Sequence, residues 1–153
     1  MQRCLCEVLR MKQKLSQGWF FTGSDGIEIS VNLPHTWNAL DGQDGGNDYY
    51  RGTCSYRTSF SKPSFDSGNQ RVYLEFQGVN ASAEVQLNGN KVMEHDNGYS
   101  TFRADITDFL EEENNLVVLA DNSVNQKIYP QKADFTFYGG IYRDVLLRIV
   151  PKE

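Results

Sequence analysis

Two stretches of this 153-residue chain collect side chains that could do chemistry. The first, residues 33–52, contains Asp41-Gly42-Gln43-Asp44-Gly45-Gly46-Asn47-Asp48 and then Tyr49-Tyr50-Arg51-Gly52. Carboxylates and amides bind hydroxyl groups, and rings stack on the C–H face of a pyranose, so this mixture suits a sugar. It also suits a plain surface loop or an acidic calcium loop, although the alternate-residue ligand run and terminal Glu of an EF-hand are missing. The second stretch, residues 122–140, sets Asp134 directly before Phe135-Thr136-Phe137-Tyr138-Gly139-Gly140. An acid beside so many rings is partly desolvated, hence either tied to a structural partner or used on a ligand. Composition leaves both open.

Other candidates read as structural. Glu111-Glu112-Glu113 precedes Asn114-Asn115 with no apolar pocket implied, which describes a solvated turn better than a catalytic carboxylate pair. The cysteines, Cys4, Cys6 and Cys54, are odd in number and have no zinc-ligand partners, since His35 and His95 lie at the wrong spacing. His35 reads as a hydrogen-bonder in a turn, Trp19 and Trp37 as packing, and Arg143-Asp144 as an ion pair or cross-strand contact. Asn80-Ala81-Ser82 is a glycosylation sequon by pattern, without weight unless the chain is secreted.

The elements that must hold these loops are strands. Cys54, Tyr56, Thr58 and Phe60 alternate with Ser55, Arg57 and Ser59, and Val72, Leu74 and Phe76 repeat the pattern. Val85 and Leu87 lead into Asn88-Gly89, a type I′ hairpin signal because both central residues need positive φ, and residues 91–94 return as the partner. Leu116-Val117-Val118-Leu119-Ala120 is a continuous apolar run, as for a strand covered on both faces, and residues 145–150 follow the same manner. Thr107-Asp108-Phe109-Leu110 predicts one short helical turn with Thr107 as its cap. Seven or more short strands predict an all-β fold, a β-sandwich or jelly roll, as one domain over residues 17–153, with 1–16 unassigned.

Composition narrows the classes. A formal charge of −5 disfavours nucleic acid, which needs a clustered basic surface. No segment reaches the ~18 apolar residues of a membrane helix, and Glu7, Arg10, Lys12 and Lys14 interrupt any leader-like apolar core. The expectation is a soluble protein with no membrane partner, of unknown compartment, the cytoplasm weakly favoured. Eight Tyr, nine Phe and two Trp suit a strand-built core and also sugar-stacking surfaces.

Leu33-Pro34-His35-Thr36-Trp37-Asn38, Tyr56-Arg57 leading to Phe60, Phe76-Gln77-Gly78-Val79, Val85-Gln86-Leu87-Asn88-Gly89, Gly98-Tyr99 with Phe102, and Asp105-Ile106-Thr107 follow one another in order. With Asp134-Phe135-Thr136-Phe137-Tyr138-Gly139-Gly140-Ile141-Tyr142-Arg143-Asp144-Val145, this series resembles the N-terminal sugar-binding domain of glycoside hydrolase family 2 over residues 17–150. Asn47-Asp48-Tyr49-Tyr50-Arg51-Gly52 and Tyr129-Pro130-Gln131 are more similar to its β-galactosidases than to its glucuronidases or mannosidases.

The resemblance implies a jelly-roll domain that scaffolds a catalytic barrel and completes a galactosyl subsite. Retaining hydrolysis uses two carboxyls about 5–5.5 Å apart, housed in a barrel of about 250 residues. This chain cannot hold that barrel, so it is expected to be inactive alone. By resemblance Asp134 contacts sugar hydroxyls and helps to hold sodium, and Asn47 or its neighbour Asp48 is the matching polar contact from the first stretch. The implied partners are a β-galactoside and the other domains of the parent. The chain itself needs no cofactor, and sodium or magnesium is expected in the full-length parent. Competing expectations are a free-standing carbohydrate-binding module and a purely structural sandwich for domain or subunit contacts.

Overall fold

A computed structural model describes residues 11–39, 50–128 and 137–153. The chain folds into β1 (Met11–Lys14), β2 (Trp19–Thr22), β3 (Glu28–Val31), β4 (Thr53–Ser61), β5 (Gln70–Phe76) and β6 (Val79–Asn80). It continues through β7 (Ser82–Leu87), β8 (Asn90–Asp96), β9 (Phe102–Asp105), β10 (Glu113–Asp121), β11 (Gly140–Ile141) and β12 (Val145–Pro151). A four-stranded sheet runs β1-β12-β5-β9, a six-stranded sheet runs β3-β2-β4-β10-β7-β8, and β11 pairs with β6. Every pairing is antiparallel. Both sheets supply one core: Val72, Leu74, Ile149 and Ala104 face Tyr56, Val85, Val118 and Leu116. This is the expected all-β sandwich. Each large core side chain taken from water contributes about 1.5–3 kcal/mol, which holds the two faces together.

The alternations in β4, β5 and β7 place their apolar residues inward as expected. The Asn88-Gly89 turn has φ of 51° and 80°, the left-handed pair that lets β8 return along β7. Two expectations are corrected. β10 is not covered on both faces: it alternates, with Leu116, Val118 and Ala120 buried and Val117 and Leu119 half-buried. Val117 lies opposite Arg57 and Gln86, and Leu119 opposite Ser55 and Glu84, so polar neighbours and their aliphatic stems shield the outer apolar groups. The short turn, a 3-10 turn over Thr107–Phe109, does form, but Thr107 is not its cap. The Asp105 carboxylate accepts from the Thr107 N–H at 3.1 Å, while the Thr107 hydroxyl accepts from the Val72 N–H at 2.9 Å.

Met11–Lys14, inside the segment that sequence leaves unassigned, is an exposed edge strand on β12. Lys14 there pairs at 2.9 Å with Asp144, which lies just before β12, whereas the guanidinium of Arg143 lies 5.3 Å from the Tyr142 ring. On the outer face of the four-stranded sheet, the Glu75 carboxylate is buried beneath Arg103 and Arg148, at 2.6 and 3.0 Å. Among the described residues no helix is long and apolar enough to cross a membrane.

Candidate functional site

Asp134, Asn47 and Asp48 lie outside the described residues. What the structure describes is how the chain enters and leaves their two segments, 40–49 and 129–136. These flanks meet at one end of the sandwich, around two fully buried asparagines, Asn38 and Asn122.

The Asn38 carboxamide oxygen accepts from the Gly139 N–H at 2.7 Å and from the Asn122 side-chain amide at 3.1 Å. Its amide nitrogen donates to the Tyr50 carbonyl at 2.9 Å. Asn122 donates as well to the Phe137 carbonyl at 2.9 Å, and its oxygen accepts from the Gly52 N–H at 2.9 Å. A backbone N–H only donates and a backbone carbonyl only accepts, so the orientation of both carboxamides is fixed. Arg51 adds a bond from Nε to the Asn122 carbonyl at 2.9 Å, and its guanidinium sits 5.2 Å from the centre of the buried Phe137 ring. Four backbone stretches from distant parts of the sequence are thereby knotted together: 36–38, 50–52, 122 and 137–139.

Three further contacts surround the knot. Thr36 donates its hydroxyl to the Gly139 carbonyl at 2.7 Å, and Trp37 donates Nε1 to the Tyr50 carbonyl at 3.2 Å. Asn80, at the end of β6, donates to the Tyr138 carbonyl at 2.6 Å. The Gly-Gly pair is required by space. A Cβ on Gly139 would lie 2.0 Å from the Trp37 ring. Gly140 has φ of +128°, and a Cβ there would meet the His35 carbonyl at 2.5 Å and the Tyr56 hydroxyl at 2.7 Å. Close approach and a glycine conformation coincide. Tyr50 and Tyr138 remain well exposed beside this knot.

His35 does not serve a turn. Its Nδ1 meets the Tyr56 hydroxyl at 2.7 Å inside a cluster with Phe21, and its backbone N–H donates to the Ile141 carbonyl. Burial lowers the His35 pKa and raises that of Tyr56, which favours the uncharged form of each partner. Trp19 is fully buried, and Trp37 stacks on Phe21 at 5.9 Å, both as packing. Cys4 and Cys6 lie outside the described residues. Cys54 is buried, and desolvation pushes its thiol up to about 11. Among the described residues there is no group of three or more His, Cys, Asp or Glu that could hold a metal ion. Glu111, Glu112 and Glu113 are exposed. Asn80 is buried and donates from the very nitrogen that a glycan would occupy.

The family described as glycosyl hydrolase 2, galactose-binding domain-like, matches residues 47–145. The chain belongs to glycoside hydrolase family 2. It is 40% identical over 88% of its length to a β-glucuronidase of Bacteroides fragilis, and 34% identical over 93% to a β-galactosidase of Thermoanaerobacter pseudethanolicus. It spans about a fifth of each, 20% of either relative. Among solved structures, an FMN-binding β-glucuronidase from Faecalibacterium prausnitzii L2-6 superposes with a TM-score of 0.88 at 41% identity, over 94% of this chain and 23% of that one. The family 2 chain is therefore similar to the N-terminal domain of enzymes with either name. The knot around Asn38 and Asn122 was not singled out from sequence. Sequence places Asn38 at the end of the Leu33–Asn38 motif and Asn122 at the start of the second polar stretch, with nothing to mark their burial.

Proposed function

We propose that this chain is the N-terminal domain of a retaining, exo-acting β-galactosidase, scaffolding the barrel and completing the galactosyl subsite. Asp134 supplies a carboxylate for vicinal sugar hydroxyls, with Asn47 or Asp48 as the polar contact from the other segment. The observation that carries this reading is the knot: Asn38 and Asn122 bring the flanks of both segments to one end of the sandwich. A charged acceptor held in place favours the hydroxyl geometry that it fits and rejects an epimer that leaves it unpaired. Bond cleavage belongs to the rest of the parent, and this domain acts by binding and orientation.

The test is an amide NMR titration of the 153-residue chain with galactose, and with glucuronate as control. Shifts with galactose alone, near Asn47 and Asp134, support the reading. A second reading, a glucuronide-processing parent, is favoured by the 40% identity to the Bacteroides fragilis β-glucuronidase, and it predicts shifts with glucuronate instead. If neither sugar moves an amide at tens of millimolar, where binding is weaker than about 3 kcal/mol, the isolated domain is a scaffold only. In that case Asp134→Asn in the full-length enzyme decides, with a loss of about tenfold or more in kcat/KM expected for one charged hydrogen bond.

A further inference from the structure

We propose that the outer face of the four-stranded sheet carries a saccharide site of its own, a cavity over β5, β9 and β12 that takes the carboxylate and ring of a uronic acid. It uses none of the galactose contacts proposed above, so neither reading depends on the other.

Strand pairing gathers the cations. Arg148 of β12 stands directly opposite Tyr73 of β5, and Arg103 of β9 stands opposite Glu75 of β5. Residues directly opposite share a face, and Arg71 with Val150 forms the next outward pair. Lys152 closes the rim. These side chains line an open cavity of about 560 Å³, within the ~300–1,000 Å³ of small-ligand sites.

Glu75 indicates what the cavity recognises. Its side chain is 5% exposed, and one oxygen, Oε2, accepts from Arg103 Nε at 2.6 Å and from Arg148 Nη1 at 3.0 Å. A purely structural ion pair needs one guanidinium. Here one carboxylate holds two, and both line the cavity with a positive charge in surplus. Each guanidinium carries five N–H donors, and neither makes another hydrogen bond among the described residues. Lys152 donates to the Ser67 and Gly68 carbonyls at 2.6 and 3.2 Å, and makes no ion pair among the described residues. Lys12 of β1, directly opposite Arg148 on its other side, makes none either. Like charges set opposite one another destabilise a sheet, so an anion over them offsets a standing repulsion. Asp105 and Asp108 engage Arg71, at 3.5 and 3.4 Å, and Glu153 is the acid at the rim.

A planar carboxylate matches guanidinium edges in paired N–H···O bonds. Tyr73 adds a half-buried ring whose hydroxyl makes no hydrogen bond among the described residues, and Val150 and Pro151 add apolar wall. A ring to stack on C–H groups beside guanidiniums that bind a carboxylate fits a uronic acid. A neutral hexose lacks the charge, and a simple anion lacks the ring.

The test is an amide NMR titration of the 153-residue chain with sodium glucuronate at constant ionic strength, with glucose and acetate as separate controls. Saturable shifts at Tyr73, Arg103 and Arg148 are expected with glucuronate, none with glucose, and binding about tenfold weaker with acetate. Arg148→Gln should weaken glucuronate binding about tenfold, the loss of one charged contact. That change also disturbs Glu75, so Lys152→Gln is the second variant, because it removes only two exposed contacts to carbonyls. A loss of about threefold to fivefold is expected there. The proposal is overturned if these three amides show no saturable shift by about 50 mM, weaker than about 2 kcal/mol of binding. It is equally overturned if acetate binds as well as glucuronate, or if glucuronate moves only residues near Asn47 and Asp134. Salt-sensitive self-association that broadens the same amides, with no glucuronate response, means that protein carboxylates occupy the face, and overturns it too.

Discussion

The side-chain amide of Asn122 donates to the side-chain carbonyl of Asn38 at 3.1 Å, joining positions 84 residues apart inside a site that water does not reach. A buried carboxamide cut back to methyl leaves several unsatisfied partners, each costing about 1–3 kcal/mol. Asn122→Ala should therefore lower stability by about 3 kcal/mol or more in urea denaturation. Gln126→Ala, at an exposed position nearby, should stay within about 0.5 kcal/mol of the parent chain. Equal effects at the two positions would show that the knot does not hold this end of the sandwich.

Stability should depend on pH through His35. Its folded pKa lies below the ordinary value of 6.5 because burial penalises the charged ring, so the unfolded chain binds the extra proton first. The contribution is complete above the unfolded pKa and is lost as pH falls from about 6.5 towards the lower folded value. His35→Gln should flatten that part of the stability profile measured by thermal melting. An unchanged slope would assign it to other groups.

Gly139→Ala should displace the Trp37 ring, because the added methyl would stand 2.0 Å from it. Overpacking of this kind costs about 1–3 kcal/mol. A shift in tryptophan fluorescence should accompany the loss, since the ring leaves its stack on Phe21. A destabilised variant with native fluorescence would place the strain elsewhere.

Glu75→Gln tests the buried carboxylate under two guanidiniums. Removing the charge weakens both bonds at once, with an expected cost of about 2 kcal/mol, in the range for hydrogen bonds to charged groups. Arg103 is more than half exposed and recovers part of that in water, so the loss should shrink in high salt.

The sandwich was legible because burial writes a period of two into β4, β5 and β7, and because Asn88-Gly89 names its own turn. Met11–Lys14 was not legible: an edge strand exposed along its whole length has no inner face to leave a pattern, and its lysines suit an unpaired edge. The apolar run of β10 misled for the converse reason, since Val117 and Leu119 are covered by neighbours from β4 and β7 that local sequence does not reveal. Both polar segments stood out by composition, and the Gly-Gly pair marked a close approach. Asn38 and Asn122 looked like any loop amides, because their burial is created by partners that arrive from distant chain.

Asn80 offers a last consequence. Its side-chain nitrogen is engaged with Tyr138 and its surface is almost wholly covered, so the sequon Asn80-Ala81-Ser82 is closed once β6 pairs with β11. In a secretory host that attaches N-linked glycans, the modifying enzyme and β-pairing would compete for the same amide. Glycan occupancy at Asn80 would then act as a clock, reporting how long the nascent chain waits before this end of the sandwich closes.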